Sequence, residues 1–197
     1  MGNYLPALIM VILWLDGGIY PILLLPLFYV RYVEKRGFNT IGFRRTAIFY
    51  SLILGFVTSA ITVAVYFPIF SYYQENLRQR PTISLYDIFT DVIWYPLYEE
   101  ITYRGFLLSH LIKDPDETRI YSPFSKREMG INLVQASLFL SIHHHHVIAG
   151  VPLILLSVFI LGYLTGFIFI KTRNLTGCLA AHALTNGFAL LLRSLLT

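Results

Sequence analysis

The chain is built from apolar runs about as long as a lipid bilayer is thick. From Ala47 to Phe70 no residue is charged. Comparable runs extend over Leu5 to Val30, Tyr86 to Ile112, Ile131 to His146, Ile148 to Ile170 and Gly177 to Leu196. At 1.5 Å of rise per residue, roughly 20 such residues cross the hydrocarbon core. These runs predict an all-α, polytopic membrane helix bundle of about six transmembrane helices, organised as one domain over residues 1–197. A sequence that is 56% hydrophobic and 13% charged, with a mean hydropathy of +0.63, is too apolar for a soluble domain. The first run is broken by Asp16, Gly17 and Gly18, where Asp16 reads as a helix-interior polar contact or a kink. It lacks the basic start and small-residue cleavage site of a removable signal peptide.

The net charge of +4 does not make a nucleic-acid surface, because the basic residues sit in short connections between apolar runs. Arg31, Lys35, Arg36, Arg44, Arg45, Lys113, Arg119, Lys126, Arg127, Lys171 and Arg173 fall on one side of the expected layout, against Arg78, Arg80 and Arg193 on the other. The richer side is expected to be cytoplasmic, with both termini outside. The segment Lys113 to Gly130 reads as a cytoplasmic loop. The single cysteine, Cys178, precludes an intrachain disulfide and reads as a packing residue.

One run departs from the apolar pattern. Asp91 to His110, DVIWYPLYEEITYRGFLLSH, carries Glu99, Glu100 and Arg104 near its middle. Each ionised side chain at mid-bilayer costs roughly 2.5–3.5 kcal/mol on insertion scales, and such residues persist where they face a bundle interior or a watery cavity. Glu100 and Arg104 stand at i and i+4 on one helix face, with Glu99 turned about 100° away. One carboxylate can be paired while its neighbour stays available. The blander reading is a buried ion network that locks helices together.

Two further runs bring polar residues to the same depth. Glu99 lies 14 residues before Lys113, His143 lies 13 after Gly130 and Asn186 lies 13 after Arg173, about 20 Å from the cytoplasmic boundary in each case. His182, at i−4 from Asn186, shares its helix face. The tract His143 to His146 cannot all face one way on a helix; His144, His145 and His146 are expected to be wetted at the interface.

A carboxylate beside an imidazole can take a proton from water and return it to a leaving amine. A second imidazole and an amide can donate to the oxyanion of a tetrahedral intermediate. Two histidines and a carboxylate could instead hold Zn²⁺ with an open water position. The chain has no H-E-x-x-H, no G-x-G-D and no Gly-x-Ser-Gly motif, which disfavours zinc metalloproteases of the site-2 type, presenilin-type aspartyl proteases and serine intramembrane proteases.

Glu99-Glu100-x-x-x-Arg104, Phe139-x-x-x-His143 and His182-x-x-x-Asn186 resemble, in order and interval, the three motifs of the CPBP family. These are the CAAX protease and bacteriocin-processing (Abi-like) intramembrane peptidases, which include type II CAAX prenyl endopeptidases. The basic turn and helix of Thr172 to Asn186 resemble the last motif region. The resemblance covers about Asp91 to Leu196, within a catalytic core expected over residues 86–196. It implies a helical bundle with an intramembrane polar cavity, in which Glu99 and His143 activate water. It further implies that Arg104 orients the glutamates with Glu100 as ion partner, and that His182 and Asn186 stabilise the oxyanion.

The expected function is an intramembrane endopeptidase of the cell membrane, a multi-pass protein acting on a membrane-associated protein or peptide. No cofactor is required on this reading. The alternatives are a Zn²⁺-dependent form of the same protease and a non-enzymatic immunity or transporter-like membrane protein.

Overall fold

The computed structural model describes residues 24–73, 83–112 and 124–195. Most of the expected first span, with Asp16, lies outside them, as does the greater part of the Lys113 to Gly130 segment. The described residues form a helical bundle. α1 covers residues 24–33 and leads through a short 3₁₀ turn, Phe38–Ile41, into α2, Ile48–Tyr72. α3 covers residues 85–112, α4 is Lys126–Ser141, α5 is the single turn His145–Ile148, α6 is Ile154–Thr172 and α7 is Thr176–Leu195.

Three of these helices, α2, α6 and α7, are long and apolar enough to cross a membrane, and they match the expected second, fifth and sixth spans. α3 matches the expected third run in extent, but its charges distinguish it. α4 departs further from expectation. It starts at Lys126 because Ser125 accepts the backbone N–H of Glu128 while the Glu128 carboxylate accepts that of Ser125. This reciprocal cap, Ser-x-x-Glu, satisfies two N–H groups that a helix start leaves open. It also moves the start five residues ahead of Ile131. The far end stops at Ser141, so the histidine tract lies in a turn and in α5 rather than continuing α4.

The helix surfaces are turned inside out relative to a water-soluble bundle. The buried face of α2 is Ser51, Gly55, Thr58, Ser59, Thr62, Tyr66 and Phe70, whereas Phe49, Ile53, Phe56, Val57 and Phe67 are exposed. Small and hydroxylated residues at helix contacts, with large apolar ones facing out, are the packing expected in lipid, where close approach and interhelical bonds replace the hydrophobic drive. The backbones of α2 and α7 approach closely. A Cβ on Gly177 would come within 2.0 Å of the Ser51 carbonyl oxygen, and one on Gly55 within 2.4 Å of that of Gly177. The Gly177 N–H donates to Ser51 Oγ at 2.9 Å.

One end of the bundle is tied by polar loops. Asn174 Nδ2 donates to the carbonyls of Arg44 (2.7 Å) and Thr46 (2.9 Å), and Leu175 N donates to Gly42 O at 3.0 Å. The Glu34 carboxylate, beside Arg36, meets His110 Nε2 at 2.8 Å and joins α1 to α3. This end carries Arg31, Lys35, Arg36, Arg44, Arg45, Lys126, Arg127, Lys171 and Arg173 in the turns and helix ends. The opposite end carries the histidine turn, the α3 start and Arg193.

Candidate active site

α3 alternates between two helical pitches. Phe89–Trp94 and Glu100–Leu108 are wide turns with i→i+5 bonding, separated by one α-helical turn, Tyr95–Glu99. Wide turns inside helices cluster at functional sites because they re-aim side chains without breaking the helix. Here they flank the turn that ends at Glu99, and Glu100 begins the second of them. Pro96 sits at the start of the intervening turn, where its missing N–H is tolerated.

Glu100 and Arg104 are fully buried, at 0% exposure, with Arg104 Nη1 3.1 Å from Glu100 Oε1. Arg104 Nη2 donates to the Gly162 carbonyl of α6 at 3.1 Å, and the guanidinium lies 4.3 Å from the centre of the Phe139 ring on α4. Charge, hydrogen bond and ring face together compensate a cation in the bundle interior. A Cβ at Gly162 would meet Phe139 at 2.8 Å, so glycine is what lets α6 present its carbonyl there.

The same Glu100 oxygen meets His182 Nδ1 at 2.8 Å. A carboxylate only accepts, so the imidazole donates through Nδ1 and turns Nε2 towards Glu99. His143 is oriented in parallel fashion, with Nδ1 donating to the Phe139 carbonyl at 2.9 Å. The two Nε2 atoms lie 3.9 Å (His143) and 3.7 Å (His182) from one oxygen, Glu99 Oε2. That oxygen is buried and accepts no hydrogen bond from the described residues. The separations exceed direct hydrogen bonds and suit a bridging water.

Glu99, His143, His182 and Asn186 line one cavity of about 360 Å³, so four of the six expected site residues converge, with Glu100 and Arg104 directly behind them. Asn186 differs from expectation in one respect: its Nδ2 already donates to the Asp91 backbone carbonyl at 2.8 Å. In the histidine tract His144 and His145 are exposed, as expected, and His146 is half-buried; His145 and His146 also line the cavity beside His143. The His143 and His146 rings lie 6.1 Å apart and nearly parallel. Partial burial, then the neighbouring His143, holds the His145 imidazole below its usual pKa. α2, although its run carries no charge, also reaches the site: Thr62 and Tyr66 line the cavity wall. Cys178 stays outside it, fully buried in the core.

Sequence reasoning missed the carbonyls of Gly162, Phe139 and Asp91, which orient Arg104, His143 and Asn186. Backbone acceptors have no residue-type signature, although Gly162 with Gly166, one turn on, marked a close helix contact. Among the described residues no group of three or more His, Cys, Asp or Glu is arranged to hold a metal ion.

No curated protein and no solved structure matches the chain. A family model described as type II CAAX prenyl endopeptidase Rce1-like matches residues 81–188. The match takes in α3 to α6 and α7 as far as Phe188, and with them Glu99, Glu100, Arg104, His143, His182 and Asn186. Covering more than half of the 197 residues, it places this chain in the Rce1-like family of proteases, the type II CAAX prenyl endopeptidases.

Proposed function

We propose that the protein is a multi-pass intramembrane endopeptidase of the cell membrane that hydrolyses a peptide bond in a membrane-associated protein or peptide. The observation that carries this reading is the facing of two imidazole Nε2 atoms on one unbonded oxygen of Glu99, in a cavity within an apolar bundle. In this mechanism Glu99, with His143, takes a proton from a water lodged between them, and the water oxygen forms a bond to the scissile carbonyl carbon. The carbonyl π pair moves onto oxygen. In its imidazolium form His182 can donate Nδ1–H to Glu100 and Nε2–H to that oxyanion, joined by the second N–H of Asn186 Nδ2. As the intermediate collapses, the C–N bond breaks and the proton held by Glu99 and His143 passes to the leaving amine. The ligand-free chemistry of the set is complete without a metal. Core residues 86–196 supply all of these groups, and the lipid bilayer supplies both the solvent for the bundle and the route for substrate.

The test is substrate capture. Membranes containing the Glu99→Ala form are expected to retain a full-length membrane protein that is shortened, by mass spectrometry, where the wild-type chain is present. Identical substrate lengths in both membranes, with both forms folded, contradict the reading.

A further inference from the structure

In α3 the wide turn Phe89–Trp94 closes with the Tyr95 N–H bonded to the Thr90 carbonyl, five residues back. Continued by one residue, that spacing would aim the N–H of residue 96 at the Asp91 carbonyl. Residue 96 is proline and has no N–H. Tyr95, the other backbone donor within reach, is committed to Thr90. The hydrogen is supplied from another helix: Asn186 Nδ2 of α7 donates to Asp91 O at 2.8 Å. Pro96 therefore has two effects three residues from Glu99. It opens the turn Tyr95–Glu99 that presents Glu99, and it leaves open the carbonyl that seizes Asn186.

We infer that Pro96 is a positioning residue: by withholding an N–H from the Asp91 carbonyl, it fixes the Asn186 carboxamide with its second N–H facing the cavity. The inference rests on Asn186 being an oxyanion donor, as read above. A freely rotating carboxamide would present oxygen or nitrogen to a developing negative charge, and only nitrogen helps. Asp91 O, an acceptor, selects nitrogen on its side, and the planar NH₂ group then directs its other hydrogen roughly 120° away. Asn186 and His182 lie on one face of α7 and both line the cavity, so the two donors share one target.

The experiment replaces Pro96 by Ala, which restores an N–H able to bond Asp91 O in competition with Asn186. Activity is read as cleavage of the fastest-cleaved member of a quenched-fluorescent peptide library by purified protein in detergent. The Pro96→Ala protein is expected to melt at or above the wild-type temperature, because the added N–H finds an acceptor, yet to lose about 10- to 100-fold in kcat with KM little changed. Asn186→Ala, expected to cost about 10²- to 10³-fold alone, should cost less in the Pro96→Ala background by the factor already lost there. Independently of activity, the side-chain ¹⁵N amide signal of Asn186 should show one exchange-protected proton in the wild type and lose that protection in Pro96→Ala. Unchanged kcat, additive losses in the double variant, or two rapidly exchanging protons in the wild type overturn the inference. If Asn186→Ala leaves kcat intact, the oxyanion role fails, while the amide signal still reports whether Pro96 holds the carboxamide. Should Pro96→Ala not fold, Pro96→Ser, which restores the same N–H, is read for kcat and for the Asn186 amide signal in its place, with the same outcomes supporting or overturning the inference.

Discussion

His182 Nδ1 meets Glu100 Oε1 at 2.8 Å, and the same oxygen lies 3.1 Å from Arg104 Nη1. One carboxylate thus sets the orientation of an imidazole in the cavity wall while neutralising a cation behind it. The consequence is that Glu100 and Arg104 bear on stability as well as on chemistry.

Arg104→Ala is expected to destabilise the protein by roughly 3–5 kcal/mol, because it strips the partner from a carboxylate with no exposure to water. Glu100→Gln should be destabilising by a similar route and should also lower kcat, since an amide can turn either end to Nδ1. Thermal unfolding of the single and double variants in detergent checks this. The double variant is expected to lose less than the sum of the singles, because the interaction is already gone.

Glu99 and His143 should behave otherwise. Neither supports the fold as Arg104 does: Glu99 Oε2 accepts no hydrogen bond among the described residues, and His143 borders the cavity. Glu99→Gln and His143→Ala are expected to lower kcat about 10²- to 10⁴-fold with little change in melting temperature. His144→Ala, at an exposed position outside the cavity wall, should alter neither; a loss of activity there would reassign the tract.

Much of this was legible in the sequence because the bilayer makes polarity expensive. Charges in an apolar run are conspicuous, so Glu99, Glu100 and Arg104 declare themselves, and three helices with polar residues at matched depth declare a cavity. What was not legible followed from backbone geometry. Periodicity cannot show that α3 widens at Phe89–Trp94 and Glu100–Leu108, so the bond from Asn186 to the Asp91 carbonyl could not be foreseen. The start of α4 was written in Ser125-x-x-Glu128, but hydropathy outweighed it and placed the start at Ile131. The place of His145 in the cavity wall was hidden for a similar reason: an assumed helix separates His143 from His145, whereas the observed turn brings both to the cavity.

The α2–α7 crossing predicts a stability effect far from the cavity. Gly177→Val must force a Cβ against the Ser51 carbonyl, at 2.0 Å before relaxation, and overpacking of this kind costs about 1–3 kcal/mol or more. Melting temperature in detergent should fall. A variant as stable as wild type would show that the two helices separate more readily than their contact implies.

The basic end of the bundle is expected to face the cytoplasm, which puts the histidine turn outside. In a Cys178→Ser background, a cysteine at Ala149 should react with a membrane-impermeant thiol reagent in intact cells, and one at Ser125 only after permeabilisation. The reverse pattern would invert the topology and with it the side from which substrate reaches the cavity.

In the proposed mechanism Glu99 and His143 activate water without a metal. Its most direct test is peptide cleavage by purified protein in detergent after exhaustive chelation, with bound metal quantified alongside and Glu99→Gln as control. Undiminished cleavage is expected from the metal-free wild type, with a loss of at least about 10²-fold in Glu99→Gln. One zinc bound per chain, with activity lost on its removal and restored on its return, would contradict it.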